Sequence, residues 1–178
     1  IHFRFLFETD CNSSIFAFLR LFSIMNYVSD STDLIRRGLV ECRAITRRYG
    51  TSFYFATQFF PKETRDGIYA IYAFARIPDE IVDDPGKTTR HERVTELEAW
   101  RQTWLDAMQT GTSDDPVMGA IVHSFNKYGI DVETGEAFLK SMFMDEDKKS
   151  YANYSELEEY MYGSAGVIGL MVTRIVGF

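Results

Sequence analysis

The stretch Ile-Tyr-Ala-Phe-Ala-Arg-Ile-Pro-Asp-Glu-Ile-Val-Asp-Asp-Pro-Gly, residues 71–86, constrains this chain more than any other. Its spacing predicts a helix from about Thr64 to Asp84, stopped by Pro85-Gly86. At about 100° per residue, Tyr72, Arg76, Asp79 and Asp83 fall within an arc of roughly 60°. Ile68, Ile71, Ala75 and Val82 flank that stripe, and Phe74, Ile77 and Ile81 cover the opposite face. A helix that is apolar on most sides is a buried one, so the charged stripe is expected to face an internal cavity. Two carboxylates one turn apart repel each other, and desolvating them is costly unless a cation compensates. Their hard oxygens suit Mg²⁺, which keeps several waters and recruits substrate phosphates. Arg76, one turn earlier, offers a planar donor fork suited to a phosphate oxygen. Pro78 removes a helical hydrogen bond and is expected to bend the helix. Taken alone, the same residues also describe a salt-bridge cluster at a solvated helix end, with Asp84 in a loop.

The remaining chain reads as all-α. Helical periodicities dominate over alternating ones, and there are only four prolines and twelve glycines in 178 residues. Residues 31–48 open with good N-cap material and end at Tyr49-Gly50. Thr-Ser-Phe-Tyr-Phe-Ala-Thr-Gln-Phe-Phe follows and closes at Pro61. Residues 90–109 carry Val94, Leu97, Trp100, Trp104, Leu105 and Met108 at helical spacing. A loop at 110–116 caps a helix over 116–128, and another helix begins near Asp131. The last starts at a capping box, Ser155 with Glu158 three residues on. At this length a single domain with a real core is expected. Apolar residues make up 46% of it and aromatics 15%, so disorder is excluded. The formal net charge of −7 argues against nucleic-acid binding. Cys11 and Cys42 form no metal or redox spacing and suit a reducing cytoplasm. Residues 1–24 carry Glu8, Asp10 and Arg20, which fit neither a signal peptide nor a membrane span. Met25 is the expected start of the folded protein, with 1–24 an extension and 25–178 the domain.

Two long stretches carry a family resemblance. Residues 46–85, Thr-Arg-Arg-Tyr-Gly-Thr-Ser-Phe-Tyr through Arg-Ile-Pro-Asp-Glu-Ile-Val-Asp-Asp-Pro, resemble the first signature region of the phytoene/squalene synthases. The likeness is closest to the bacterial phytoene synthases. Residues 138–171, with Met-Asp, then Tyr, then a Tyr-rich helix entering Ala-Gly-Val-Ile-Gly, resemble the later region. Together, in order and spacing, the likeness covers about residues 31–178. It implies an all-α isoprenoid synthase fold around a central cavity. It also implies Mg²⁺-dependent, head-to-head joining of two prenyl diphosphates through a cyclopropylcarbinyl diphosphate, with Mn²⁺ as a substitute metal.

The resemblance assigns roles residue by residue. Asp79 and Asp83 match the first aspartate-rich motif and would hold metal, with Glu80 a further ligand; Arg76 would hold diphosphate. Thr51, Ser52, Phe53 and Tyr72 would contact substrate, and Tyr160, Ser164, Ala165 and Gly169 match the helix that walls the cavity. Gly163, Gly166 and Gly169 each weaken a helix by about 1 kcal/mol against Ala, which calls for a slim surface or close helix packing. Asp145 is placed to face the cavity, whereas Glu146, Asp147, Lys148 and Lys149 read as a solvated turn. His2, His91 and His123 share no motif. Arg36, Arg37, Arg43, Arg47 and Arg48 outnumber Glu41 on one helix, suiting a solvated face, its C-terminal dipole or an anionic membrane.

The family's second aspartate-rich motif would lie beyond Phe178, so this piece by itself is expected to make no product. The leading expectation is a phytoene synthase acting on two geranylgeranyl diphosphates for carotenoid synthesis, without NADPH. The alternatives are a squalene, dehydrosqualene or hydroxysqualene synthase using farnesyl diphosphate, and a catalytically silent helical interaction protein. Greasy substrates imply a cytoplasmic protein loosely attached at the inner membrane face, without a spanning helix. Nothing in the sequence sets an oligomeric state.

Overall fold

The helix carrying the charged stripe, Lys62–Asp83 (α3), runs through the middle of the structure and packs against four of the helices around it. In this computed structural model, residues 31–83, 86, 89–147 and 150–178 are described. The expectations on residues 1–24, Met25, His2, Cys11, Asp84, Pro85, Lys148 and Lys149 lie outside them. Residues 31–49 form a helix (α1), followed by α2, Thr51–Thr57. After α3 come α4 (Arg90–Thr110), α5 (Pro116–Tyr128), α6 (Val132–Asp147), α7 (Tyr154–Met161), a π-helical turn (Tyr162–Gly166) and α8 (Val167–Val176). No strand occurs among the described residues, so the all-α expectation holds. Leu34–Phe178 form one compact unit.

Burial of α3 follows from its sequence. Ile68, Ile71, Phe74 and Ile81 repeat at helical spacing and are all buried. Pro78 sits buried inside the helix, which continues through it to Asp83. The Phe74 ring is the hub of the main core. It meets Phe125 of α5 at 4.9 Å, Trp104 of α4 at 5.1 Å, and Trp100 and Phe138 at 5.6 Å between centroids. Tilted and edge-on pairs at these distances add to the area term. A second cluster of Cys42, Tyr54, Tyr69, Ala70, Ala73 and Ala120 joins α1, α2, α3 and α5. Burial pushes the Cys42 thiol up to about 12, so it serves as a small apolar side chain there.

Helix ends show where local reading succeeds. Asp115 caps α5 by accepting from the Met118 amide at 2.7 Å, with Pro116 in the first turn. The α4 start is a capping box of Thr89 with Glu92, a pairing the sequence reading did not single out. The expected box at Ser155 and Glu158 is corrected: α7 is capped two residues earlier, by Asn153 accepting from the Glu156 amide at 3.1 Å. Asn and Ser are comparable caps, so cap chemistry by itself does not choose between the two starts. Glu146 is also corrected. It is no solvated turn residue, because α6 runs to Asp147 and its side chain is only 3% exposed against Arg93 of α4. Arg101 and Glu136 make a second α4–α6 bridge at 2.5 Å.

Truncating Phe74 to Ala should cost about 3–5 kcal/mol, because four aromatic neighbours cannot collapse onto the gap together. Gly38→Ala tests the α1–α5 contact, since a Cβ there would stand 1.7 Å from the Pro116 carbonyl oxygen. The expected loss is about 1–3 kcal/mol. Chemical denaturation of each variant measures both; an unchanged midpoint for either would contradict the packing described.

Candidate functional site

Beside α3 opens a cleft of about 640 Å³, lined by residues of α1, α2, α3, α6, α7, the π turn and α8. Its floor is apolar: Ile71 and Ala75 from α3, Phe138 and Met142 from α6, and Ile168 and Val172 from α8. Polar groups gather toward one end. They are Arg76 and Asp79 of α3, Asp145 of α6, Tyr160 of α7 and Ser164 of the π turn, with Tyr49 through Phe53 along the edge.

Register explains how each helix contributes a face. On α6, Phe138, Met142 and Asp145 stand four and three residues apart, which is one side of a helix. Tyr160, Ser164, Ile168 and Val172 are spaced by four, and in a regular α-helix each such step drifts by about 40°. The wider π turn at Tyr162–Gly166 interrupts that drift, so all four still reach the cleft. Single π turns inside α-helices are frequent at functional sites. The continuous last helix expected from sequence is corrected in this respect. Gly163 lets the turn approach α6, since a Cβ there would stand 2.7 Å from the Ala137 carbonyl oxygen and 2.9 Å from Ser141 Cβ.

Arg76 and its carboxylates dominate the electrostatics. Its guanidinium pairs with Asp79 and with Glu80, three and four residues on. The Tyr49 ring lies 4.7 Å from its carbon. Arg76 Nε is buried and has no hydrogen-bond partner among the described residues. Desolvation pushes the Asp79 carboxyl above its ordinary range; Arg76 pulls it down, while Asp83, Glu80 and Asp145 push it up. Asp145, at the exposed rim, is raised mainly by desolvation and further by Asp83 and Glu146, against a hydrogen bond from Tyr160. That bond runs from Tyr160 Oη to Asp145 Oδ2 at 3.2 Å. Burial and Asp145 hold the Tyr160 phenol up at about 12, so it keeps its proton at neutral pH. Tyr72 is raised too, chiefly by desolvation, and stacks on Phe53 at 5.4 Å.

The structure brings Thr51, Ser52, Phe53, Tyr72, Arg76, Asp79, Tyr160 and Ser164 together in the cleft lining. It does not bring Asp83, Glu80, Ala165 or Gly169 into that lining. Asp83 is exposed at the end of α3, so the aspartate stripe is not sealed inside a cavity as a pair. The reason is its position in the last turn, past the helices that cover Asp79. Glu80 turns to Arg76, with its side chain 41% exposed. Ala165, Gly166 and Gly169 are exposed, and a Cβ at Gly169 would meet nothing within 4 Å. The demand for a slim surface is therefore corrected to one glycine, Gly163. The floor residues of α6 and α8 went unremarked in sequence, although their four-residue spacing was a readable signal.

The donor set can be tested against Mg²⁺. Among the described residues no group of three or more potential ligands forms a closed metal site. Mg²⁺ needs only one or two carboxylates, with water and phosphate completing its shell. Asp79, with Asp83 one turn on, meets that open requirement; its carboxyl is raised first by desolvation and then by the neighbouring acids Asp83, Glu80 and Asp145, against Arg76.

Between the ordinary value of 3.8 and their raised values, Asp79 and Asp145 hold protons in the fold that the unfolded chain has released. Stability contributed by the two should therefore fall as pH rises through that window. Asp145→Asn should flatten this dependence, bring the Asp79 titration down and lower the Tyr160 titration. Carboxyl-carbon NMR and phenolate absorbance measure these shifts; an unmoved Asp79 would show that the two do not share the cleft.

Comparison with known proteins agrees with this architecture. Residues 46–178 match the squalene/phytoene synthase family. The chain is 32% identical over 137 residues to a 15-cis-phytoene synthase of Synechococcus elongatus, covering 77% of this chain and 44% of that protein. It is 32% identical over 149 residues to phytoene synthase 1 of Zea mays, covering 82% of this chain and 36% of that protein. Among solved structures, a dehydrosqualene synthase in complex with ligand superposes with a TM-score of 0.71 at 26% identity, covering 82% of this chain and 49% of the other. A squalene synthase from Alicyclobacillus acidocaldarius, at 24% identity and a TM-score of 0.71, shares the fold. The chain thus spans less than half the length of the curated relatives it matches. With three quarters of its length matched by the family and its fold shared with solved synthases, the chain belongs to the squalene/phytoene synthase family.

Proposed function

We propose that this chain supplies the first carboxylate motif and the diphosphate-binding wall of a head-to-head prenyl synthase, with geranylgeranyl diphosphate as substrate and phytoene as product. The observation that carries this reading is the orphaned Arg76 Nε in a cleft whose floor is greasy. A buried donor without a partner is costly, and a diphosphate oxygen at the rim would satisfy it. The apolar floor from Ile71 to Val172 matches the other half of such a substrate, its prenyl tail.

In this reading Arg76 orients the leaving diphosphate, and Asp79 with Asp83 would hold Mg²⁺. The metal would supply charge neutralisation as diphosphate departs. Ser52 and Thr51 line the edge where the headgroup enters. Phe53 and Tyr72, stacked together, shield the reacting carbon from water. Tyr160 keeps its phenolic proton, held toward Asp145, and presents a neutral oxygen to the developing positive charge. The first condensation loses one diphosphate and a proton, giving a cyclopropylcarbinyl diphosphate; its ionisation releases the second diphosphate, and the rearranged cation loses a proton to give phytoene. Because the chain spans only part of its relatives, turnover is expected of the chain joined to the remainder they carry, and no product of the chain alone.

A C15 substrate is the second reading, favoured by the dehydrosqualene synthase among the similar structures. Calorimetry with geranylgeranyl and farnesyl diphosphates in Mg²⁺ separates the two, and product analysis with and without NADPH follows on the extended protein. Tighter binding of the C20 compound is expected. Arg76→Lys keeps the charge but loses the fork, and should weaken diphosphate binding by about tenfold or more. Unaltered affinity in that variant would remove Arg76 from the site.

A further inference from the structure

We propose that Tyr49 is a positioning residue for Arg76, holding the guanidinium flat so that its buried Nε–H stays dry and fixed at the cleft. The Arg76 fork is anchored along one edge. Its two terminal nitrogens pair with Asp79 and Glu80 on the same helix, which leaves the plane free to swing about that edge. A flat cover on its face removes the freedom. The Tyr49 ring supplies one, with its centroid 4.7 Å from the guanidinium carbon, inside the range where a cation is held over a ring. Nε is bonded to that carbon, is buried, and meets no hydrogen-bond partner among the described residues. Tyr49 also lines the cleft, and its ring carries a second guanidinium, that of Arg48, at 5.0 Å.

The corner between α1 and α2 is built to press this ring down. Gly50, the next residue, has a negative φ of −125°, so space and not left-handed backbone asks for glycine there. A Cβ on it would stand 2.6 Å from Tyr72 Oη and 2.7 Å from carbons of the phenol ring. Tyr72 stands one turn before Arg76 on the same face of α3, and Phe53 of α2 stacks on it at 5.4 Å. Residues 49, 50 and 53 thus lie across Arg76 and Tyr72 as one strap. With Gly50 seated on Tyr72, the residue before it is kept over Arg76. Tyr49 is itself 38% exposed and belongs to neither core cluster, so its contact with Arg76 is not what holds the fold together. A donor desolvated in advance and fixed in direction meets an acceptor oxygen without first shedding water or losing rotamer freedom. The inference rests on the diphosphate reading for what Arg76 receives, and on this stack alone for how Arg76 is held.

Two readouts on the 178-residue chain test it. In arginine side-chain NMR, the Nε–H signal that vanishes in Arg76→Lys should exchange slowly with water in the unaltered chain. Tyr49→Phe, whose ring is intact, should keep that protection, and Tyr49→Leu should lose it with unchanged circular dichroism. Calorimetry with inorganic pyrophosphate in Mg²⁺ should find Tyr49→Leu weaker by about fivefold or more and Tyr49→Phe within about twofold of the unaltered chain. In the Arg76→Lys background Tyr49→Leu should cost much less than it does alone, since the fork it positions is gone. Protection and affinity both unchanged in Tyr49→Leu, where Arg76→Lys does weaken binding, overturn the inference and leave the diphosphate reading standing. Losses from the two substitutions that simply add also overturn it, because Tyr49 then acts apart from Arg76. Protection lost in Tyr49→Leu, with binding indifferent to Arg76→Lys, upholds the stack and overturns the diphosphate reading instead.

Discussion

The cost of holding carboxylates at the edge of an apolar cleft organises this structure. Asp79 is half-withdrawn from water, with other acids near enough to raise its carboxyl further. Arg76 answers it with Nη1 and gives Nη2 to Glu80, while its third nitrogen stays buried without a hydrogen-bond partner among the described residues. The site is therefore unbalanced in both directions. It carries more negative charge than Arg76 neutralises, and it carries a donor that no acceptor among the described residues meets. A magnesium diphosphate would answer both needs at once, since the metal brings positive charge and the phosphate brings acceptor oxygens.

The surrounding helices make this imbalance tolerable. Phe74, on the side of α3 away from Arg76, is locked among four aromatic rings, so α3 cannot rotate to put its charges in water. The π turn and Gly163 bring Tyr160 and Ser164 to the same end of the cleft as Asp145. Core packing offsets in stability what the site costs in electrostatics.

Much of the fold was legible in the chain. Helical spacing placed α3 to within two residues at its start, and Asp115-Pro116 announced α5 because capping chemistry is local. The start of α7 was not, since Asn153 and Ser155 are both good caps and only the helix's packing chooses between them. Likewise the wheel that grouped Asp79 with Asp83 was right about angle and silent about length. A helical wheel has no axial coordinate, so it could not tell that the cover ends one turn before Asp83. Glu146 illustrates the same limit, because its partner Arg93 lies 53 residues away in the chain.

The sequence by itself determined the helical class, the family, the charged stripe on a buried helix and the polar residues that could serve a diphosphate. These follow from periodicity and from residue types in order, which are properties of a line. The tertiary structure decided which of them meet: that Asp79 faces the cleft and Asp83 the solvent, that Asp145 holds Tyr160, and that Arg76 spends its fork on its own helix. Such outcomes depend on how far one helix overlaps another and on what remains desolvated there, and those quantities exist only once the helices have packed.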